Sequence, residues 1–350
     1  MATDKEILPI ENVIKIIKDI HSENIVLKDK INKCRSILNA SDQSSEPIDP
    51  HQELINFMAK NKINSEHLEK FTIKSAIQRG DSKIVELLLK NDVSPTPGKK
   101  FEIIESVMKN HVEIVKLLLM YGADIHVHND QAIITASQLG HLSMAKLLIE
   151  SGADIHVHND QAIINASRNG HLLVIKLLIE SGADVCAQYN RAIIDASLNG
   201  RLPVIKLLIE YGADIHAQNN QAVIDASGKG HLSAVKLLIE LGADIHAQSN
   251  KAIIDASFNN HLLVAKLLID SGADIHSQNN RAIISASSRG HLLMVKLLIE
   301  SGADIHARNN KAIKYAEEYK YSDLIELYYQ ITTDLDKNKE KISASKVIER

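Results

Sequence analysis

No tryptophan occurs in the 350 residues, and aromatic side chains make up only 3% of them. With 45% of residues hydrophobic, a core is available, but it has to be filled by Ile, Leu, Val and Ala. Cysteine is nearly missing too. Cys34 and Cys186 are too few for a disulfide framework, which points to a reducing, intracellular compartment. The opening MATDKEILPI is acidic early and has no apolar h-region, so no secretory signal is expected. No run of about 18 apolar residues is present to span a bilayer. Charge of one sign is also lacking: the net charge is −4 and the pI about 6.5, which gives no general attraction for nucleic acid. Membrane and nucleic-acid partners are therefore not expected.

What the sequence does contain is repetition. GADIHAQNNQ begins at Gly212 and has close relatives at Gly122, Gly152, Gly182, Gly242, Gly272 and Gly302, always thirty residues apart. A catalytic site is normally made once, whereas a segment made seven times is a building unit.

One unit, Gly212 to Leu241, shows the plan. Counted from its glycine, the ninth residue is always Asp or Asn (Asp130, Asp160, Asn190, Asn220, Asn250, Asn280, Asn310), types that suit a helix N-cap. The following QAIIxAS reads as a helix of about two turns. It closes at Gly140, Gly170, Gly200, Gly230, Asn260 or Gly290, residues that enter the left-handed conformation a helix C-terminus often needs. A second helix comes next. In HLLVIKLLIES, Leu172, Ile175, Leu178 and Ile179 share one face, with Lys176 and Glu180 on the other. Pro203 falls in the first turn of its helix, where a missing N–H costs nothing. Five or six aliphatic side chains cannot offset the entropy of ordering thirty residues, so stability must come from stacking unit on unit.

GADIHA, the Ala–Ser pair that ends the first helix, GHL and VKLLIE together resemble the ankyrin repeat. The resemblance covers 122–301 as regular 30-residue units and 302–331 as a worn, capping copy; degenerate units occupy 51–121, around LINFMAKNK and IVELLLKND. The family's usual unit is 33 residues and opens its first helix with TPLH. Here it is 30, with residues such as QAII in that place, which implies blunter hairpin tips. This short form is similar to the ankyrin arrays of giant DNA viruses of amoebae, implying a viral origin and a host cytoplasm as location. The resemblance implies an all-α ankyrin-repeat solenoid, an elongated right-handed stack of about nine helix pairs. It also implies a non-enzymatic scaffold that needs no cofactor and holds another protein on its inner surface.

Several columns of residues bear on chemistry. Seventeen histidines are present, and two columns of them stand out. One is His126, His156, His216, His246, His276 and His306; the other is His141, His171, His231, His261 and His291. Column neighbours lie about 8–10 Å apart if the helices pack normally, whereas zinc holds its ligands at about 2.0–2.3 Å. A role in turn hydrogen bonding is expected for both. The pair His126/His128 with His156/His158 is the one local cluster. No phosphate loop, HExxH, CxxC or Ser–His–Asp order is present.

Columns that vary between units speak to binding. The fourteenth position runs Thr135, Asn165, Asp195, Asp225, Asp255, Ser285, Tyr315, where the family usually has an apolar residue. It is expected to form an exposed inner-face stripe whose carboxylates attract a basic segment. The tenth position runs Gln131, Gln161, Arg191, Gln221, Lys251, Arg281, Lys311, turning basic toward the C-terminus. Asp195, Asp225, Asp255, Arg191, Lys251, Arg281 and Lys311 are the candidate partner-binding residues. The recurrent lysines of the second helix, Lys146 to Lys296, read as solvating partners of the acid four residues on.

Residues 1–38 do not repeat and form a separate helical module, joined by the Ser/Asp/Pro-rich linker 39–50. Residues 8–38 admit three readings. They resemble an F-box: Leu8, Pro9 and Glu11 open it, Val13, Ile16, Ile17 and Ile20 form its first helix face, and Ile25, Ile31 and Lys33 come after in register. The resemblance implies binding of the Skp adaptor of a cullin ubiquitin ligase through Leu8, Pro9, Glu11, Ile16, Ile17 and Ile20. Arg35 stands where the motif has Trp. Alternatively, the 3–4 spacing of Ile10, Val13, Ile17, Ile20, Asn24, Leu27, Ile31, Cys34 and Leu38 is a coiled-coil seam and would allow self-association. The third reading is a helical cap on the first repeat. His21-Ser22-Glu23-Asn24 suits a helix–turn–helix joint better than a continuous helix. At the far end, 332–350 is a charged tail.

Overall fold

The computed structural model describes residues 73–90 and 101–333. The F-box-like positions Leu8, Pro9, Glu11, Ile16, Ile17 and Ile20, the linker 39–50 and the tail from 334 onward lie outside the described residues. Helices come in pairs: α1 Ile73–Arg79 and α2 Ser82–Lys90, α3 Phe101–Met108 and α4 Val112–Met120, α5 Val127–Leu139 and α6 Leu142–Glu150. The series continues with α7 Val157–Asn169, α8 Leu172–Glu180, α9 Ala187–Leu198, α10 Leu202–Glu210, α11 Ala217–Gly228 and α12 Leu232–Glu240. It closes with α13 Ala247–Phe258, α14 Leu262–Asp270, α15 Ser277–Ser287, α16 Leu292–Glu300, α17 Ala307–Glu318 and α18 over 322–333. Among the described residues there is no strand, and no helix is long and apolar enough to cross a membrane.

These helices belong to two compact units. One holds the described residues up to Ala162 together with Lys176–Ala183; the other holds Ile163–Ile175 and the described residues from Asp184 onward. The same packing rule operates in both. In the first, α1 lies on α3 and α3 on α5, while α2 lies on α4 and α4 on α6. In the second, α9, α11, α13, α15 and α17 pack in succession, and α10, α12, α14 and α16 do likewise.

The core is aliphatic, as the composition requires. In α11, Ala222, Val223, Ile224 and Ala226 are buried; in α12 so are Ala234, Val235 and Leu238; Ala213 and Ile215 close the turn before them. Alanine at both ends of the first helix's buried face keeps neighbouring first helices close. On α8 the buried face is Val174, Ile175 and Leu178, with Leu172 and Ile179 only half-buried. The sequence pattern placed Leu172 and Ile179 on that face; helix pairing rotates it toward Val174.

The helix ends show one expectation met and one corrected. Gly140, Gly170, Gly200, Gly230, Asn260 and Gly290 all have left-handed φ, between 61° and 89°. Gly200 is constrained twice, since a Cβ there would also come within 2.6 Å of Nδ1 of His231. The ninth-position Asp/Asn column, by contrast, does not cap a helix. Asn220 sits last in a left-handed triplet, Gln218, Asn219 and Asn220, with φ of 51°, 58° and 61°. The equivalent triplet recurs from His128–Asp130 to Arg308–Asn310. The side-chain oxygen of the ninth residue is instead spent on the following unit.

Candidate functional site

The connections between units hold the first helices in register. Asp214 Oδ1 accepts the backbone N–H of His216 at 2.8 Å, closing an Asx turn. His216 Nδ1 lies 3.0 Å from Asn220 Oδ1, and that same oxygen accepts the N–H of Asp244, twenty-four residues on, at 2.9 Å. Asp130 serves Asp154, Asn250 serves Asp274 and Asn280 serves Asp304 in the same way. The left-handed triplet is braced from the next unit as well: Gln248 Nε2 donates to the carbonyl of Asn219 at 3.3 Å and to Gln221 Oε1 at 3.0 Å.

Both histidine columns are thereby accounted for. Nδ1 of His126, His246, His276 and His306 meets the ninth-position side chain of the same unit. In the other column, Nε2 of His231 lies 3.0 Å from the carbonyl oxygen of Leu198, and His261 and His291 reach the equivalent carbonyls of Gly228 and Phe258. The His231 and His261 rings sit over the left-handed Gly200 and Gly230 of the preceding unit. Among the described residues no group of three or more His, Cys, Asp or Glu side chains is arranged to hold a metal ion. The hydrogen bond and charge of Asp130 raise His126 above the ordinary imidazole value. Cys186, exposed in the histidine column, has its thiol pushed up, chiefly by burial.

The variable columns meet on one face of the first helices, because positions ten, fourteen, seventeen and eighteen fall at i, i+4, i+7 and i+8. The structure changes the reading of the carboxylates. Asp195 is fully buried rather than part of an exposed stripe. Arg168, from the unit before, donates Nε and Nη2 to its Oδ2 at 3.0 and 2.6 Å. Arg191 Nε lies 2.8 Å from Oδ1, a meeting of charges without the alignment of a hydrogen bond. Two partly exposed guanidiniums thus cover one carboxylate, which is why it can leave solvent. Asp225 is half-buried and accepts from Gln221 Nε2 at 2.7 Å. Burial raises its carboxyl above the usual value, against the lowering pull of that hydrogen bond and of the Arg191 and Lys251 charges. Asp255 is half-buried and paired with Lys251 at 2.6 Å.

Farther along, Ser285 is buried, Arg281 and Lys311 are exposed, and Lys311 Nζ stands 5.0 Å from the centre of the half-buried Tyr315 ring. Sequence reading did not single out Arg168, Lys229, Phe258 or Arg289. All four vary at positions seventeen and eighteen, one turn beyond the fourteenth, and helical spacing alone would have found them. The Arg289 guanidinium lies 4.0 Å over the Phe258 ring.

These features define a repeat protein of paired helices whose unit-specific charges gather on the first helix of each pair. A family model described as "Ankyrin repeats (3 copies)" matches residues 103–189, 133–219, 166–249, 193–279 and 253–339, more than half of the chain. The chain belongs to the ankyrin-repeat family. Ankyrin repeats bind other proteins, and the family is one of interaction modules rather than catalysts. Among solved structures, the human ASB11 ankyrin repeat domain is 20% identical, covering 60% of this chain and 95% of its own, with a TM-score of 0.49, a likeness too distant to inform function. No curated protein matches the chain.

Proposed function

We propose that the chain is a non-enzymatic scaffold that holds another protein on the first-helix face of its repeats. The observation that carries this is the distribution of variation. Caps, turns and aliphatic wall are restated from unit to unit, while charge changes chiefly at positions ten, fourteen, seventeen and eighteen, all on that one face. Arg191, Asp225, Lys251, Asp255, Arg281 and Lys311 contribute to it, and Asp195 acts from beneath by holding Arg168 and Arg191. The test is co-purification with the full chain from the cell in which it acts. Arg281→Trp obstructs the face and should release the partner, whereas Lys266→Trp, on a second helix, should retain it. Retention by both would refute the reading.

The sharper proposal is a substrate adaptor of a host ubiquitin ligase, acting in a host cytoplasm as the short repeat period of amoebal viruses suggests. Its support is the ungapped run of Leu8, Pro9, Glu11, Ile16, Ile17 and Ile20 in the sequence. Affinity purification with the full chain and with residues 51–350 should differ by a Skp-type protein, and Leu8→Asp with Ile17→Asp should abolish its recovery. A full chain that recovers no such protein, or whose recovery ignores both substitutions, removes the proposal. The 3–4 spacing of the same segment supports a structural or decoy role through self-association, and sedimentation of a dimer by the full chain, lost on Ile17→Asp, would favour it.

A further inference from the structure

The charge on the first-helix face has the opposite sign from the one its carboxylates suggest. Between Arg168 and Arg289, all within the second unit, positions ten, fourteen, seventeen and eighteen carry Arg168, Arg191, Lys229, Lys251, Arg281 and Arg289 against Asp195, Asp225 and Asp255. The acids lie inward. Asp195 is fully buried and the other two are half-buried, while five of the six cations are exposed and Lys251 is half-buried over Asp255. A partner approaching this face therefore meets positive charge first.

The chemistry is sharpest at Arg168 and Arg191. A guanidinium has five N–H donors in a rigid fork. Arg168 gives Nε and Nη2 to Asp195, and Arg191 sets Nε against the same carboxylate. Each keeps the donors on its outer edge for a second acceptor. Because the carboxylate between them is enclosed, the two forks are held side by side before any ligand arrives, which lowers the ordering cost of binding. We propose that this face binds an acidic segment of a partner protein, with Arg168 and Arg191, positioned by the buried Asp195, as the anchoring pair for a carboxylate side chain. The inference rests on the first-helix face being the docking surface and adds the partner's chemistry to it. A carboxylate-bearing peptide fits better than a nucleic acid. Single-stranded nucleic acid is held through aromatic side chains on which its bases stack. Phe258, the one aromatic at these positions between 168 and 289, is instead covered by the Arg289 guanidinium, and the whole chain carries a net charge of −4.

The experiment uses the full-length chain and three fluorescein-labelled probes: a peptide of ten glutamates, a peptide of ten lysines and a ten-nucleotide single-stranded DNA. Anisotropy is read at about 50 and about 200 mM salt, where screening of exposed charge differs clearly. The glutamate peptide should bind saturably, at least tenfold more tightly than either other probe, and more weakly at the higher salt. The triple variant Arg168→Gln, Arg191→Gln, Asp195→Asn removes the anchor without leaving a buried charge unpaired, and should weaken binding at least fivefold with the helical circular dichroism intact. If that variant fails to fold, Lys229→Gln with Arg281→Gln, both exposed, decides by the same fivefold criterion. Equal or tighter binding of the lysine peptide or the DNA overturns the inference, as does a folded variant that binds the glutamate peptide unchanged. Failure here is distinguishable from failure of the underlying reading. A partner that Arg281→Trp releases, in a protein that ignores the glutamate peptide, sinks only the acidic specificity. A partner that Arg281→Trp leaves in place sinks the face itself.

Discussion

The side-chain oxygen of Asn220 accepts the backbone N–H of Asp244 from the next unit at 2.9 Å, while also facing Nδ1 of His216 at 3.0 Å. One buried amide oxygen thus ties two successive connections together. Asn220→Gly keeps the left-handed backbone, at φ 61°, and deletes only the acceptor. It should cost about 1–3 kcal/mol, the range for a donor left without its partner. Asn219→Gly, at the exposed neighbouring position with φ 58°, should stay within about 0.5 kcal/mol of the parent. Urea denaturation of the two variants checks the difference. Equal losses would mean that the backbone conformation, and not the shared oxygen, holds the joint.

Two glycines separate conformational strain from collision. Gly212 has φ 91° and open space where a Cβ would stand, so Gly212→Ala should cost about 1 kcal/mol from its backbone alone. Gly200 has φ 64°, and a Cβ there would press on the His231 ring that reaches the Leu198 carbonyl. Gly200→Ala should therefore cost about 2–3 kcal/mol, measured as the shift of the thermal midpoint.

His126 should titrate above the ordinary 6.5, because Asp130 accepts from its ring at 3.0 Å and favours the protonated form. The folded value is raised, so this pair's contribution to stability is complete below 6.5 and disappears as pH rises through the folded value. A proton NMR titration of the His126 ring should show the raised midpoint, and Asp130→Asn should lower it. A midpoint unmoved by that substitution would contradict the assignment.

Tyr328, in α18, is buried and bonded to Ser287 Oγ at 2.6 Å, and burial pushes its phenol from 10.0 up to about 12. Because the folded value is the higher one, stability should fall as pH rises from about 10 through about 12, by about 2–3 kcal/mol in all. Tyr328→Phe should remove this alkaline step and cost only about 1 kcal/mol at neutral pH, since Ser287 still donates to the Ile283 carbonyl. Urea titrations at neutral and alkaline pH check both halves.

The helix pairs, the aliphatic core, the left-handed glycines at 200 and 230 and the family were all legible in the sequence, because each arises from local chemistry restated every thirty residues. Periodicity reports which residue types recur, and a glycine or an Ala–Ile–Ile run has the same meaning in every unit. What the sequence could not reveal was where a side chain finds its partner. Asn220 looks like a helix cap until its oxygen is seen to serve Asp244, a bond made across units that no local pattern encodes. Asp195 likewise reads as one of three exposed acids, and only packing brings Arg168 from twenty-seven residues earlier to cover it. The identity of each residue is local, but the enclosure and charge of the first-helix face depend on what the neighbouring helix places there, and that is settled only when the units are assembled.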